Sequence, residues 1–178
     1  MTFKRLNTLE NPEGIYAQNL YLNSFPSEER RDLKKWADIS KNEPDFFNCV
    51  VLDKNAPVGL LTYWTMPKFA YVEHLAVDPS LRGNGIGAQI VRTFCQDIKQ
   101  PVVLEVERPD NEIARRRIAF YQRCGFRLWL NDYMQPPYRE GDELLPLYLM
   151  AYGNLSEEIH YIPVRNEIYK RVYNYCIK

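Results

Sequence analysis

The spacing of hydrophobic positions changes several times along this chain, and each change marks an element. Residues 3–6 form a short run that predicts a first strand. Residues 11–25 carry Ile15, Leu20 and Leu22 and open with Asn11-Pro12, a helix-start signal. Ser27-Glu28-Glu29 reads as the cap of a second helix running to about Ala37, with acids at the positive end of the dipole. Residues 46–52 and 58–66 are strand-like. The turn-rich Asp53-Lys54-Asn55-Ala56-Pro57 between them predicts an antiparallel hairpin.

Residues 71–77 are apolar on both faces apart from Glu73 and His74, which predicts a central strand. Period-two alternation puts Glu73 and His74 on opposite faces, with His74 in the core. An amphipathic run over 86–98 predicts a helix ending near Gln100-Pro101. A strand at 102–107 and a helix at 110–124, stopped by Gly125, come next. Strands at 126–130 and 144–150 are separated by a long loop holding Pro136-Pro137-Tyr138. In the tail, 156–178, Val164, Ile168, Val172 and Tyr175 recur at helical spacing. Pro163 interrupts them, so two short pieces are expected, packed on the chain's own sheet or on a second copy in a homodimer. The whole predicts an α/β fold with a mixed sheet flanked by helices (domain 1–153) and a C-terminal helical extension (154–178).

Length and charge narrow the partners. At 178 residues the chain suits one domain with a small appendage. Lys plus Arg equals Asp plus Glu at 23 each, so no general attraction to nucleic acid or an anionic membrane is expected, and any anion site must be local. Cys49, Cys95, Cys124 and Cys176 are scattered, and with only His74 and His160 beside them no metal pattern appears. Cys49 and Cys95 lie in hydrophobic runs. A reducing, cytoplasmic setting is expected, since no signal-peptide core opens the chain and no apolar stretch nears ~18 residues.

The local anion site is the segment Leu81-Arg82-Gly83-Asn84-Gly85-Ile86-Gly87. Glycines at a strand-to-helix joint let the backbone approach a ligand and leave free N–H groups at a helix N-terminus, a setting for phosphate. Gly83-Asn84-Gly85-Ile86-Gly87-Ala88 also satisfies the dinucleotide fingerprint G-x-G-x-x-A, with Glu105 about 20 residues on. Two features oppose that reading: five residues, 78–82, separate the strand from the first glycine, and some seventy residues precede the unit. No G-x-x-x-x-G-K-[ST] P-loop is present.

Arg82-x-x-Gly85-x-Gly87 after Leu75-Ala76-Val77 resembles motif A of the GNAT family of N-acetyltransferases. Asn111-x-x-Ala114 followed by Phe120-Tyr121-Gln122-Arg123-Cys124-Gly125-Phe126 resembles their motif B. The resemblance covers residues 3 to about 150 and implies acetyl-coenzyme A as co-substrate, without a metal. The pyrophosphate would meet backbone N–H groups between Arg82 and Gly87 (Gly83, Asn84, Gly85 and Ile86 included). The pantetheine arm would run along the backbone of Leu75, Ala76 and Val77, and Asn111 would meet it. As a helix cap, Asn111 also has a purely structural reading. Arg115-Arg116-Arg117 reads as a solvated helix face or a contact to the coenzyme's 3′-phosphate.

The implied reaction is transfer of acetyl to a primary amine of a small molecule or peptide within a ternary complex. Such an amine has a pKa near ~10.4, so on the order of one molecule in a thousand is neutral at pH 7 and a base is needed. Glu73 matches a carboxylate that serves as base in some relatives; its structural reading is an ion pair. Strand amides near Leu75–Val77 would supply the oxyanion donor. Tyr121 matches the tyrosine that protonates the leaving thiolate, and its other reading is core. Glu105 and Glu107 share a strand face across the gap, so one would meet a cationic substrate. Tyr16, Phe25, Trp36, Tyr133, Pro136, Pro137 and Tyr138 suggest an aromatic acceptor wall. The alternative function is a non-catalytic acyl-CoA sensor of the same fold.

Overall fold

A computed structural model describes residues 1–176. Ile177 and Lys178, the end of the expected tail, lie outside the described residues. Seven strands form one mixed sheet in the order β1-β2-β3-β4-β5-β7-β6. They are β1 (Thr2–Arg5), β2 (Phe46–Asp53), β3 (Ala56–Thr65), β4 (Ala70–Val77), β5 (Val102–Glu107), β6 (Arg127–Gln135) and β7 (Leu145–Tyr152). Only β4 and β5 run parallel; the other neighbours are antiparallel. The helices are α1 (Pro12–Ser24), α2 (Leu33–Asn42), α3 (Ile86–Asp97), α4 (Glu112–Arg123) and α5 (Glu157–Val172). Side chains of α1, α2 and α5 pack on one sheet face with Tyr71, Val103, Tyr133 and Leu149. Those of α3 and α4 pack on the other with Val72, Leu104 and Met150.

The β2–β3 hairpin forms as expected. Asp53 pairs with Ala56, and Lys54 and Asn55 between them take positive φ of 48° and 66°, as a primed two-residue turn requires.

Three elements depart from the sequence expectation. Ser27–Glu29 makes only a 3-10 turn, and α2 starts at Leu33, where the Asp32 carboxylate accepts from the Lys35 amide at 2.8 Å. The chain between is extended because Arg31 is claimed by distant groups. Its amide donates to the Tyr21 hydroxyl (2.9 Å) and its guanidinium to the Val172 carbonyl (2.8 Å). Strand β6 continues to Gln135, because a register shift between Trp129 and Tyr133 carries the polar Asn131-Asp132 pair through the ladder. Lastly, α5 is one helix through Pro163. The carbonyl that Pro163 cannot serve is that of Ile159, a residue 72% exposed and so open to water.

The tail helix packs on its own sheet. Tyr161, Val164, Ile168, Tyr169 and Val172 are all buried in the same cluster as Trp129, Tyr133 and Leu149. Cys49, Cys95 and Cys124 are buried and Cys176 is exposed, all as free thiols. Among the described residues no helix is long and apolar enough to cross a membrane.

Truncating the fully buried Ile168 to Ala is expected to cost about 2–5 kcal/mol in urea unfolding, against under about 0.5 kcal/mol for exposed Ile159→Ala. A single transition in both variants would show that α5 unfolds with the sheet.

Candidate active site

The site exists because β4 and β5 part. They pair only over Ala70↔Val102, Tyr71↔Val103 and Val72↔Leu104. Beyond Val72 the edge of β4 that faces β5 has no strand partner. A second irregularity lies at the same point: on the β3 side Thr62 pairs with His74 and Tyr63 with Val72, so Glu73 is the extra residue of a bulge. A bulge bends the strand and re-aims its side chains. Glu73 and His74 consequently lie on one face, toward α1, α2 and α5, against the alternation expected from sequence. Glu73 meets Trp64 and Tyr138, while His74 packs against Tyr21 and Phe25.

The wedge between the strands opens into a cavity of about 500 Å³. Its floor comes from both strands and includes Glu73, His74, Leu75, Ala76, Val77, Glu105 and Glu107; Phe25, Glu29, Gln135 and Tyr138 close it from the α1 side. Behind β4 a groove of about 680 Å³ runs along Gly83, Gly85, Ile86 and Gly87 to Arg92, Arg116, Arg117, Phe120 and Arg123. The cavity and the groove share Leu75, Val77, Arg82, Arg117 and Tyr121.

The groove suits an anion. Gly83 and Gly85 take φ of 84° and 78°, in the left-handed region that side chains resist. A Cβ at either would meet nothing within 4 Å, so the loop leaves open space above its backbone. Gly85 is the N-cap of α3, without a side-chain cap, and the first helical bond is Gln89 N–H to the Gly85 carbonyl (3.1 Å). The amides of Ile86, Gly87 and Ala88 precede that bond and are free to receive an acceptor. Arg82 Nε donates to the Val77 carbonyl (3.1 Å), which ties the loop to the end of β4. Arg92, Arg116, Arg117 and Arg123 add positive charge along the wall, of which only the 115–117 run was legible as a candidate. Asn84 is exposed and lines neither space. Asn111 is exposed too, and its side chain caps α4 by accepting from the Ala114 amide at 2.8 Å.

Tyr121 stands at the junction. It is buried, its hydroxyl makes no hydrogen bond to any described residue, and it lines both spaces. Burial pushes its phenol up to about 12, so it stays protonated across the physiological range and offers a permanent O–H at the meeting point.

The cavity's two central carboxylates are held very differently. Glu73 has no exposed side-chain surface. It forms an ion pair with Arg31 (7% exposed) and accepts from Trp64 Nε1 at 2.9 Å and from the Tyr138 hydroxyl at 2.8 Å. Glu105 forms no ion pair among the described residues. Its oxygens accept from the Tyr173 hydroxyl at 3.0 and 3.2 Å, and one also accepts from the Tyr133 hydroxyl. Burial raises its pKa to about 7 against the opposing pull of those hydroxyls. His74 is neutral: burial lowers its pKa to about 3. Its Nε2 is 3.0 Å from the Glu29 carbonyl, which can only accept, so Nδ1 accepts from Thr62 at 3.1 Å. Glu107 ends β5 and pairs with Arg117 of α4.

Of the aromatic wall expected from sequence, Phe25 and Tyr138 line the cavity. Trp36 stacks on Tyr21 in the core at 4.3 Å, and the Tyr16 hydroxyl donates to Asp78 at 3.2 Å. Sequence reasoning singled out none of Arg31, Trp64, Gln135 and Tyr173 for the site. Gln135 lines the cavity at 4% exposure, and its Nε2 has no partner, leaving a donor for a ligand.

Comparison with known proteins places this architecture. The acetyltransferase (GNAT) family model matches residues 10–126. The chain belongs to the GNAT acetyltransferase family. A Bacteroides thetaiotaomicron structure described as "Putative acetyltransferase from GNAT family" shares 42% identity over 100% of both chains, with a TM-score of 0.95. The Bacillus subtilis protein "Putative acetyltransferase YjbC" is 27% identical over 105 residues, 58% of this chain; the match spans about half (52%) of that relative's length. A Bacillus subtilis acetyltransferase solved in complex with CoA shares the fold, at 17% identity and a TM-score of 0.56 over 86% of this chain and 100% of that one. Among the described residues no group of three or more His, Cys, Asp or Glu is placed to hold a metal ion.

Two outcomes test the electrostatics of this GNAT site. Arg31→Ala leaves the Glu73 carboxylate buried without its cation and is expected to cost about 3–5 kcal/mol in denaturant unfolding. Glu105 binds its proton more tightly folded than unfolded. Its contribution is therefore full below about pH 4.5 and is lost as pH rises through about 7, on the order of 1–3 kcal/mol. His74 works the other way, losing stability as pH falls from about 6.5 toward 3. In thermal melts, Glu105→Gln should gain stability relative to the parent between pH 5 and pH 8. A pH-independent difference would refute the assignment.

Proposed function

We propose that this GNAT protein transfers an acetyl group from acetyl-CoA to a primary amine of a small molecule or peptide, with both substrates bound together. The observation that carries the reading is the junction: groove and cavity open onto each other at Leu75, Val77, Arg82, Arg117 and Tyr121. A thioester whose phosphates lie over the glycine loop would present its carbonyl at the cavity, where an amine approaches from the other side.

The residues fit the coenzyme. The free amides after Gly85 receive pyrophosphate oxygens, Arg82 and the groove arginines add countercharge, and the unpaired edge of β4 offers main-chain partners to the amide-rich pantetheine arm. When bound, acetyl-CoA supplies an activated acyl group. The chain holds amine and thioester in contact, which alone is worth several kcal/mol of barrier. Amides of residues 75–77 on the open edge stabilise the oxyanion. Tyr121 stands beside the departing sulfur. With a pKa about 12 it is a weaker acid than a thiol at ~8.5, so it acts chiefly by hydrogen-bonding the developing thiolate. The amine's proton goes to a carboxylate in the cavity. In this reading residues 1–153 form the transferase domain and the helical extension that begins at 154 packs against it, with Tyr173 reaching Glu105.

Thiol release with a panel of polyamines, aminoglycosides, amino acids and peptides tests the reading, and turnover of at least one amine is expected. Tight acetyl-CoA binding with no turnover would instead support an acyl-CoA sensor. Tyr121→Phe should lower kcat about 10–100-fold with KM for acetyl-CoA within a few-fold. Gly85→Ala places a methyl in the open space at positive φ and should raise that KM while costing about 1–2 kcal/mol of stability.

A further inference from the structure

Four glutamates line the cavity: Glu107 is paired with Arg117 and Glu29 lies in the 3-10 turn on the α1 side, which leaves Glu73 on β4 and Glu105 on β5 where the strands part, and the amine needs one acceptor for its proton. We propose that Glu105, rather than Glu73, takes that proton, and that Glu73 is a fixed anion that positions Arg31 and Tyr138. The inference rests on the transferase reading and deepens it.

Glu73 is poorly placed to act. Its carboxylate has no exposed surface and three donors, Arg31, Trp64 and Tyr138, already occupy its oxygens. Each of them favours the charged form, so a proton would have to displace a guanidinium contact. The cavity meets Glu73 through its backbone, which the bulge exposes.

Glu105 has the opposite situation. It follows Leu104, the last β5 residue paired with β4, so it stands at the first position where the sheet opens. No cation forms an ion pair with it among the described residues. Its donors are phenols, Tyr133 from β6 and Tyr173 from the end of α5. Tyr71 from β4 and Tyr138 from the loop after β6 complete the ring of hydroxyls, with Tyr71 and Tyr138 also bonding or approaching Tyr173 at 3.2 and 3.4 Å. The charged groups facing the cluster are Arg31 before α2, Glu29 in the 3-10 turn and Glu73 on β4. Burial holds the Glu105 pKa near 7, where a base is half available and still strong enough to accept.

The balance is simple. An ammonium substrate gives one proton to the Glu105 carboxylate, leaving a neutral amine and a carboxylic acid. The amine lone pair forms the C–N bond as the C–S bond breaks. The second proton leaving nitrogen passes to the thiolate, and Glu105 returns its proton to solvent.

The test is the pH dependence of kcat/KM, using the panel amine that the parent turns over fastest and, in parallel, methoxyamine, which is already neutral at pH 7. With the basic amine the parent should show an inflection near pH 7. Glu105→Gln should lower kcat at least 100-fold at pH 7 and abolish that inflection, yet lose under about tenfold with methoxyamine. Tyr173→Phe removes a hydrogen bond that favours the carboxylate and should move the inflection to higher pH while retaining turnover. Melts of each variant confirm folding. Glu105→Gln within threefold of the parent with its inflection intact would overturn the assignment alone, as would an inflection lost only in Glu73→Gln. A parent that releases thiol with no amine would overturn the transferase reading and this assignment with it.

Discussion

The early parting of β4 from β5 is the constraint on which everything else depends. Parallel neighbours ordinarily share a ladder for their whole length, because unpaired backbone amides away from water are costly. Here the ladder stops after three pairs, and the bulge at Glu73 bends β4 away just there. The sheet survives because β3 holds β4 from one side and β7 holds β5 from the other over all six of its residues, Val102–Glu107. The wedge is an opening between strands that are each held on their other side, and its walls carry main-chain groups without a strand partner. In the proposed reading, the amide-bearing arm of the coenzyme completes the ladder that the strands leave unfinished.

Around that wedge the two sheet faces serve different ends. The groove on the α3/α4 side is lined from one stretch of chain, 75–124: the end of β4, the loop through Gly87, and helices α3 and α4 with the α4 C-cap. The other face draws on Arg31 before α2, Glu73 on β4, Glu105 on β5, Tyr138 in the loop after β6 and Tyr173 after α5. Arg31 ties these together: its guanidinium reaches Glu73 on one side and the Val172 carbonyl on the other, so the last turn of α5 is fastened to the floor of the cavity.

That difference explains what the sequence disclosed. Elements set by local periodicity, such as the β2–β3 hairpin, α3 and α4, are legible because their signals lie within a few residues. The glycine loop is legible for the same reason: its chemistry is its spacing. Tyr121 is recognisable as a candidate because it lies within a short motif on a helix. Glu73 and His74 were readable as unusual residues in an apolar strand, but their common face was not, since a bulge leaves no mark in a period-two pattern. Arg31 gave no signal at all. It sits in a polar stretch that looks like a helix start, and its extended backbone follows from bonds to Tyr21 and Val172, 10 and 141 residues away.

Tyr173 shows the same limit from the other direction. As one of several tyrosines in the tail it reads as packing area, and its ring does pack, 5.2 Å from that of Tyr138. Its hydroxyl nevertheless reaches Glu105, 68 residues away. A phenol serves both ends because its body is apolar and its tip is not. The tyrosines around Glu105 hold its carboxylate in an enclosed space without an ion pair among the described residues, while on the other side of the Tyr138–Tyr173 contact Arg31 fixes Glu73 as an anion. Two identical side chains thus acquire opposite properties from their surroundings: one is a permanent charge that organises the wall, the other a site where charge can change. The end of the tail helix, beyond the matched residues 10–126, serves both: the Val172 carbonyl holds Arg31 beside Glu73, and the Tyr173 hydroxyl bonds Glu105.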